Sequence, residues 1–279
     1  MKWRWALVGS LFLVNIFVWF VVYKSQPTGI LEVVFLDIGQ GDAILITAPN
    51  KNQVLIDGGP DKKILRALGE SMPFFDRSLD LILVTHPDLD HIGGLPDVFE
   101  RLMISAYLSS DSTSDSAAYQ SLCEKISAEK AQTILAQAGM KIILDEGVVL
   151  EILNHSGRGS KDLNAGSVVT RLTYGKKNFL LMGDAPASLE ERLAYLLGRS
   201  LSAEVLKVGH HGSKTSSADF FLKTVKPEYA VISVGKDNRY GHPHSEVLSR
   251  LSTVGAKILQ TKDFGSIIFR TDGQSLFVE

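Results

Sequence analysis

The chain has 279 residues, 45% hydrophobic and 22% charged, with a formal net charge of −2. That is room for one large globular domain or two small ones, with a substantial core. Taking the three positive charges of Lys2, Arg4 and Lys24 from the total leaves −5 on everything beyond the first 24 residues. Such a balance excludes a broadly basic nucleic-acid binder, so any contact with a polyanion has to be local or supplied by metal ions. The single cysteine, Cys123, excludes an internal disulfide.

The first element is an apolar helix. Lys2 and Arg4 precede an uncharged run of 19 residues, Trp5 to Tyr23, which as a helix spans roughly 30 Å, the thickness of a bilayer core. Trp3, Trp5, Trp19 and Tyr23 lie towards its ends, where amphipathic rings favour the interface. Two positive charges before the run and one after it set the N-terminus inside and the remainder outside the cytoplasm. The expected organisation is a single-pass signal anchor over residues 1–24, a linker over 25–30 and one domain over 31–279. A cleaved signal, giving a secreted protein, and a buried core helix are the alternatives.

Leu31 to Asp37 and Ala43 to Thr47 read as adjacent strands joined by the turn Ile38-Gly39-Gln40-Gly41-Asp42. A strand from Val54 then ends in Asp57-Gly58-Gly59, and Pro60 to Glu70 reads as a helix with Ile64, Leu65 and Leu68 on one face. The buried strand Leu79 to Val84 runs into Thr85-His86-Pro87-Asp88-Leu89-Asp90-His91-Ile92-Gly93-Gly94. His86, Asp88, Asp90 and His91 put four metal-capable side chains into six residues. If the segment stays extended, His86, Asp88 and Asp90 point the same way. Imidazoles and carboxylates at that density are costly to assemble unless a cation neutralises them.

Leu95 to Leu102 is a short helix, Leu108 to Ser116 a surface loop, and Ser116 to Lys130 a helix holding Cys123. Strands are expected at Thr133 to Leu135, Lys141 to Leu144 and Val148 to Leu153. A polar loop, Asn154 to Gly166, carries His155 and Asn164. Val168 to Tyr174 and Asn178 to Met182 form a hairpin that ends in Gly183-Asp184-Ala185. After the helix Ser188 to Leu197 and the strand Ala203 to Val208 comes Gly209-His210-His211-Gly212-Ser213-Lys214-Thr215. Two histidines with Lys214 and hydroxyls beside them suit an anionic substrate. The strand Tyr229 to Val234 leads to Asn238-Arg239-Tyr240-Gly241-His242-Pro243-His244. Ser266 to Phe269 and Ser275 to Val278 are strand-like and should close a sheet edge.

The His86-Pro87-Asp88-Leu89-Asp90-His91 stretch resembles the histidine–aspartate signature of the metallo-β-lactamase-fold hydrolases, with Asp88 where the common form has His. That departure is similar to the extracellular nuclease-like domain of ComEC-type DNA-uptake (competence) proteins. So are Asp37 to Asp42, Asn164 to Ser167 and Gly209 to Ser216.

Periodicity gives only an α/β class; the resemblance implies an αββα sandwich with the site at one sheet edge. It further implies metal-assisted hydrolysis with two divalent metal ions, Mn²⁺ or Zn²⁺. His86 and Asp88 would hold one ion, Asp90, His91 and His242 the other, and Asp184 would bridge them. The oxygen-rich first site lets harder cations such as Mn²⁺ compete. Gln40, Asp42, Asp57, Asn164 and Ser167 would support the ligands from behind. His211, or else His210, would protonate the leaving group, Lys214 would hold phosphate, and Asp90 would be essential to turnover. His155 and His244 read as surface histidines.

The implied function is a membrane-anchored, outward-facing phosphodiesterase or nuclease, with nucleic acid as substrate and a separate DNA-uptake channel protein as partner. A hydrolase of β-lactams or lactones and a non-catalytic metal-binding module of the same fold stand beside it.

Overall fold

Strict alternation along the strands sends apolar side chains to opposite faces of each sheet. The computed structural model describes residues 2–24, 26–129, 131–154 and 162–279. In its first strand Val33 faces one way, with Phe35, and Val34 the other. The chain lays down β1 (Leu31–Phe35), β2 (Ile44–Thr47), β3 (Gln53–Ile56), β4 (Ser78–Val84), β5 (Met103–Ser109) and β6 (Gln132–Leu135). It continues with β7 (Lys141–Asp145), β8 (Val148–Ile152), β9 (Thr170–Tyr174), β10 (Lys177–Leu181), β11 (Val205–Lys207), β12 (Tyr229–Ile232) and β13 (Lys257–Gln260), and ends with β14 (Ile267–Thr271) and β15 (Leu276–Val278). Two sheets result, ordered β15-β14-β1-β2-β3-β4-β5-β6 and β13-β12-β11-β10-β9-β8-β7.

The inward faces of both sheets share one core, in which Phe35 and Phe179 each meet Phe269 edge-on at 5.9 Å between ring centroids. Burying each such side chain contributes about 1.5–3 kcal/mol. The outer face of the first sheet packs Leu45, Leu55 and Ile82 against Ile64 and Leu68, Leu95 and Val98, and Leu122 of three helices. The second packs Leu180 and Leu206 against Leu193, Phe221 and Val247 of three more. The architecture is therefore the expected αββα sandwich.

The helix Lys2–Lys24 joins none of these cores, its Phe17 ring lying 6.2 Å from that of Phe74. Its stretch Trp3–Tyr23 is long and apolar enough to cross a membrane, and none of it is buried in the chain. That removes the buried-core-helix alternative.

Several elements differ from the expectation. β5 starts five residues before the anticipated Leu108 to Ser116 loop and runs into it. β13 and the helices Asp219–Val225 and Ser245–Thr253 lie outside the expected elements, although Val247, Leu248 and Leu251 give the last an apolar face. Asp90 lies in a helical turn, Leu89–Ile92, so His86, Asp88 and Asp90 do not share one extended strand. Cys123 is exposed. His155 lies outside the described residues.

Both sheets follow one plan. β1, β2 and β3 are antiparallel, and β4, β5 and β6 continue parallel from β3. Likewise β8, β9 and β10 are antiparallel, and β11, β12 and β13 continue parallel. The sequence shows no corresponding repeat. The loops that follow β1, β3 and β4 are stitched together by backbone bonds: Asp42 N–H to the Asp90 carbonyl at 3.1 Å, Gly58 N–H to His91 at 2.7 Å, and Gly59 N–H to Asp42 at 2.9 Å.

This stitching requires glycine at position 41, whose φ is +119° and where an added Cβ would lie 2.1 Å from the Asp90 carbonyl oxygen. Gly139 provides a comparison, with φ +82° and open space around it. Gly139→Ala is expected to cost about 1 kcal/mol from backbone conformation alone. Gly41→Ala should cost at least about 2 kcal/mol, because conformation and collision add. Thermal midpoints of the two variants decide this; equal losses would show that the close approach to Asp90 carries no extra weight.

Candidate metal centre

The loops that follow β1, β3, β4, β10, β11 and β12 gather their polar side chains at one edge of the sandwich. Asp57 caps β3, fully buried and at φ +59°. One carboxylate oxygen accepts the Thr85 N–H at 2.8 Å; the other accepts the Thr85 hydroxyl at 2.7 Å and the His91 Nδ1–H at 2.8 Å. Because the Thr85 hydroxyl donates to Asp57, it accepts from His86 Nδ1, 3.0 Å away. A single carboxylate therefore fixes both imidazoles with the proton on Nδ1, leaving each Nε2 with a free lone pair. His211 reaches the same state from the other sheet, its Nδ1–H donating to the Ser233 carbonyl at 2.9 Å.

The Nε2 atoms of His86, His91 and His211 are all buried and lack a hydrogen-bond partner, as does Asp184 Oδ1. They converge. Asp184 Oδ1 is 3.4 Å from His91 Nε2, while its Oδ2 is 3.6 Å from His211 Nε2 and 4.0 Å from His86 Nε2. Asp88 Oδ2 stands 3.4 Å from His86 Nε2, and Asp90 Oδ2 stands 3.3 Å from His211 Nε2. Donor atoms of His86, His91 and Asp184 lie within 4.8 Å of one another, as do those of Asp90, His91 and His211. Inward-facing imidazole nitrogens and carboxylate oxygens without partners are the donor set that borderline divalent cations take. The residues fit a metal centre.

Electrostatics points the same way. Burial opposes charge on His91, but the Asp184 and Asp57 carboxylates outweigh it and hold the imidazole well above its usual range. For His211 burial is likewise overcome, by Asp184 and Asp42. Burial also disfavours the Asp184 carboxylate, yet His211 and His91 pull it well below the ordinary range. Asp90 is depressed too, against its burial, chiefly by the His211 imidazole, whose Nε2 stands 3.3 Å from its carboxylate. Protons and metal ions compete for such groups.

The site holds one cation that the sequence reading missed. Lys207, at the end of β11, is fully buried. Its ammonium pairs closely with Asp42 Oδ2, donates to the Gly183 carbonyl at 3.0 Å and lies 3.9 Å from Asp184 Oδ1. A lone charge inside an otherwise apolar parallel strand was the available signal, since such strands are normally apolar throughout. Among the described residues Asp42, Asp57, Asp88, Asp90 and Asp184 thus face a single permanent ammonium, an excess of four negative charges when the histidines are neutral.

Other expected residues fall around this centre. Ser167 Oγ accepts the Asp184 N–H at 3.2 Å and lies 3.4 Å from His86 Nδ1. Gln40 accepts the Gly235 N–H at 3.3 Å, joining the β1–β2 turn to the loop after β12. Asn164 opens a short turn three residues before Ser167, and its side chain makes no hydrogen bond to the cluster among the described residues. Lys214 is exposed, with no ion pair among the described residues.

The histidines rearrange the expected assignment. His211, expected as a proton donor, is buried with its Nε2 turned into the centre. His242, expected there as a ligand, is outside the convergent groups, although its Nδ1 is likewise buried without a hydrogen-bond partner, and its ring lies 6.4 Å from that of His211, at 29°. Burial and the neighbouring histidines push its pKa down to about 4. His210 is partly exposed, with Nε2 3.8 Å from Asp184 Oδ2 and its other nitrogen 3.1 Å from the Thr215 hydroxyl. Both His210 and His211 have positive φ, +48° and +52°, a pair of strained backbones of the kind that clusters at functional sites. Glu190 holds that loop in place. Fully buried, it accepts the N–H groups of Ser217 and Ala218 at 2.8 Å each, and burial raises its carboxyl to about 7 despite those bonds.

Comparison with known proteins identifies the family. The metallo-beta-lactamase superfamily model matches residues 36–236, which include every residue of the cluster except the peripheral His242. ComE operon protein 3 of Bacillus subtilis is 30% identical over 261 residues, covering 86% of this chain and 33% of that protein. Competence protein ComA of Neisseria gonorrhoeae is 32% identical over 253 residues, covering 90% of this chain and 34% of that one. The chain thus spans about a third of the length of these curated relatives. Among solved structures, the metallo-beta-lactamase fold protein YhfI of Bacillus subtilis superposes with a TM-score of 0.57 at 14% identity, covering 86% of this chain and all of that one. With the matched model spanning most of the chain and the site built within it, the chain belongs to the metallo-β-lactamase superfamily.

Proposed function

We propose that this chain is a membrane-anchored, outward-facing, metal-dependent phosphodiesterase that cleaves DNA during competence-related uptake or degradation. The observation that carries the reading is the set of three buried, unpartnered Nε2 atoms around Asp184. Two divalent cations would balance the four excess negative charges. The names of the relatives support DNA as the polymer and a separate channel protein as partner, and the apolar helix Lys2–Lys24 supports the anchor.

His86 and Asp88 would hold one cation and Asp90, His91 and His211 the other, with Asp184 between them. Mn²⁺ and Zn²⁺ both suit such nitrogen and oxygen donors. Divalent cations in such a cluster supply Lewis acidity towards a phosphoryl group and acidify water. The chain's own groups prepare the site for that chemistry. Asp57 fixes the tautomers of His86 and His91 and raises their basicity as donors. Lys207 neutralises Asp42 and grips the Gly183 carbonyl, which aims the next residue, Asp184. His210 faces the mouth of the site, and we assign to it the proton for the leaving oxygen, since His211 is committed to the interior. Lys214 contributes a mobile positive charge near an incoming phosphate.

Incubating the detergent-solubilised, metal-stripped chain with Mn²⁺ or Zn²⁺ and DNA should give metal-dependent cleavage. Asp184→Asn should reduce it by about a hundredfold or more while the apo protein remains folded by circular dichroism. Turnover of a β-lactam with intact DNA would instead establish the small-substrate hydrolase, and bound metal with no turnover a binding module. Bound metal counted by mass spectrometry separates the histidines: His211→Ala should lose about one ion per chain, and His242→Ala should keep both. The reverse pattern would return His242 to the ligand set. Lys207→Met should lower the apo thermal midpoint, because removing one partner of a buried ion pair costs about 3–5 kcal/mol. Added Mn²⁺ should recover more stability in this variant than in the wild type; an equal gain would mean that Lys207 does not share the cations' electrostatic role.

A further inference from the structure

Three rings step outward from the metal centre. His211 lies at the bottom and His242 stacks beside it. Tyr240 then stacks on His242 with centroids 5.6 Å apart and planes 23° apart. Tyr240 is 66% exposed, so one face of the ladder ends in solvent. The loop that presents it is pinned: the Asn238 amide donates to the carbonyls of Gly235 at 3.0 Å and His242 at 2.9 Å, and its oxygen accepts the His242 N–H at 2.9 Å.

The start of the same loop borders a second feature. Lys236 joins Lys63, Arg66 and Lys262 around a cleft of about 320 Å³ whose wall also includes Asp37 and Gly39. Lys63 and Arg66 pair with Asp61 and Glu70 at 3.6 and 2.9 Å, but these are exposed pairs that add little and yield readily to another anion. Among the described residues Lys236 and Lys262 enter no ion pair. A local concentration of four cations is unexpected on a domain that carries −5. Two loops on the cleft wall, after β1 and β12, are the loops that carry Asp42 to the centre and His242 to its rim, and the Gln40–Gly235 bond fastens them together.

We infer that Tyr240 and the Lys63–Arg66–Lys236–Lys262 cleft form a binding track for an unpaired nucleic-acid strand leading to the metal centre. A base stacks on Tyr240 and the adjoining backbone phosphates follow the cleft. The choice of polymer rests on the phosphodiesterase reading. The choice of an unpaired strand rests on geometry, because a base offers its face to an aromatic ring only when its neighbour is not stacked there. An aromatic platform beside a cationic groove is how single strands are held without sequence readout. Duplex binding would require a phosphate-matching surface and gain nothing from the Tyr240 face.

The test uses the full chain in detergent with Mn²⁺ and a fluorescein-labelled, hydrolysis-resistant phosphorothioate strand of about 12 nucleotides, read by anisotropy against the same strand as a duplex. The wild type should prefer the single strand. Tyr240→Ala should weaken single-strand binding about tenfold and Tyr240→Phe should restore it. Lys236→Glu with Lys262→Glu should flatten the salt dependence by about 1.4 in log–log slope. Equal affinity for strand and duplex, or a Tyr240→Ala variant that binds as the wild type does, overturns the inference. Wild-type hydrolysis of bis(p-nitrophenyl) phosphate is scored separately. Hydrolysis without strand preference overturns the track and leaves the phosphodiesterase standing. Tyr240-dependent strand binding without hydrolysis sustains the track and removes the phosphodiesterase.

Discussion

An excess of buried negative charge is the constraint around which this molecule is arranged. Asp42, Asp57 and Asp184 are almost wholly inside, and Asp88 and Asp90 stand at the mouth. Among the described residues only Lys207 answers them with a permanent charge. Buried ions of one sign cannot be left uncompensated. The structure offers two means of compensation, protons on His91 and His211 or cations at their Nε2 atoms. Asp57 and Ser233 each engage the Nδ1 side of an imidazole and leave the Nε2 side facing the carboxylates, where a proton and a cation compete.

The twofold plan of the sandwich explains how so many charged groups reach one place. Each half runs an antiparallel meander into parallel strands, so several strand ends of each sheet point to the same edge. The strand that closes each meander ends in a buried aspartate, Asp57 after β3 and Asp184 after β10. The next strand ends in histidines, His86 and His91 after β4, His210 and His211 after β11. The halves then diverge in role. Asp57 holds imidazoles from behind through their Nδ1 atoms, whereas Asp184 faces their Nε2 atoms. Lys207 occurs only in the second half, and through Asp42 it bonds back to the first.

The sequence made the strand ends legible because chemistry-bearing residues are condensed there into a few positions, with glycines beside them. His86 to Gly94 could be picked out by density alone, whereas Gly183-Asp184, a weak signal by itself, is singled out by the family resemblance. Lys207 could be picked out by neither, since its meaning depends on Asp42 lying opposite it in the other sheet, 165 positions earlier in the chain. Nor could spacing choose between His211 and His242. Both follow adjacent parallel strands, β11 and β12. What separates them is local: the left-handed backbone at His210 and His211 turns one imidazole inward, and the Asn238 clasp holds the other at the rim. Asp90 was expected by strand alternation and arrives by a helical turn. β13 was obscured by the mixed polarity of a partly exposed edge strand.

The rim histidine then gains a different significance. Burial and three neighbouring imidazoles lower the pKa of His242 to about 4 and keep the ring neutral. A neutral ring wedged between the buried His211 and the exposed Tyr240 is a spacer with two faces. It shields the centre on one side and continues the stack on the other. The acidic character of the domain requires this kind of division. With −5 beyond residue 24, long-range attraction cannot gather a polyanion, so on the proposed reading its capture would rely on short-range contacts near the mouth. Those contacts would be a ring face at Tyr240, four cations in one cleft, and whatever positive charge the centre itself acquires when its carboxylates are neutralised.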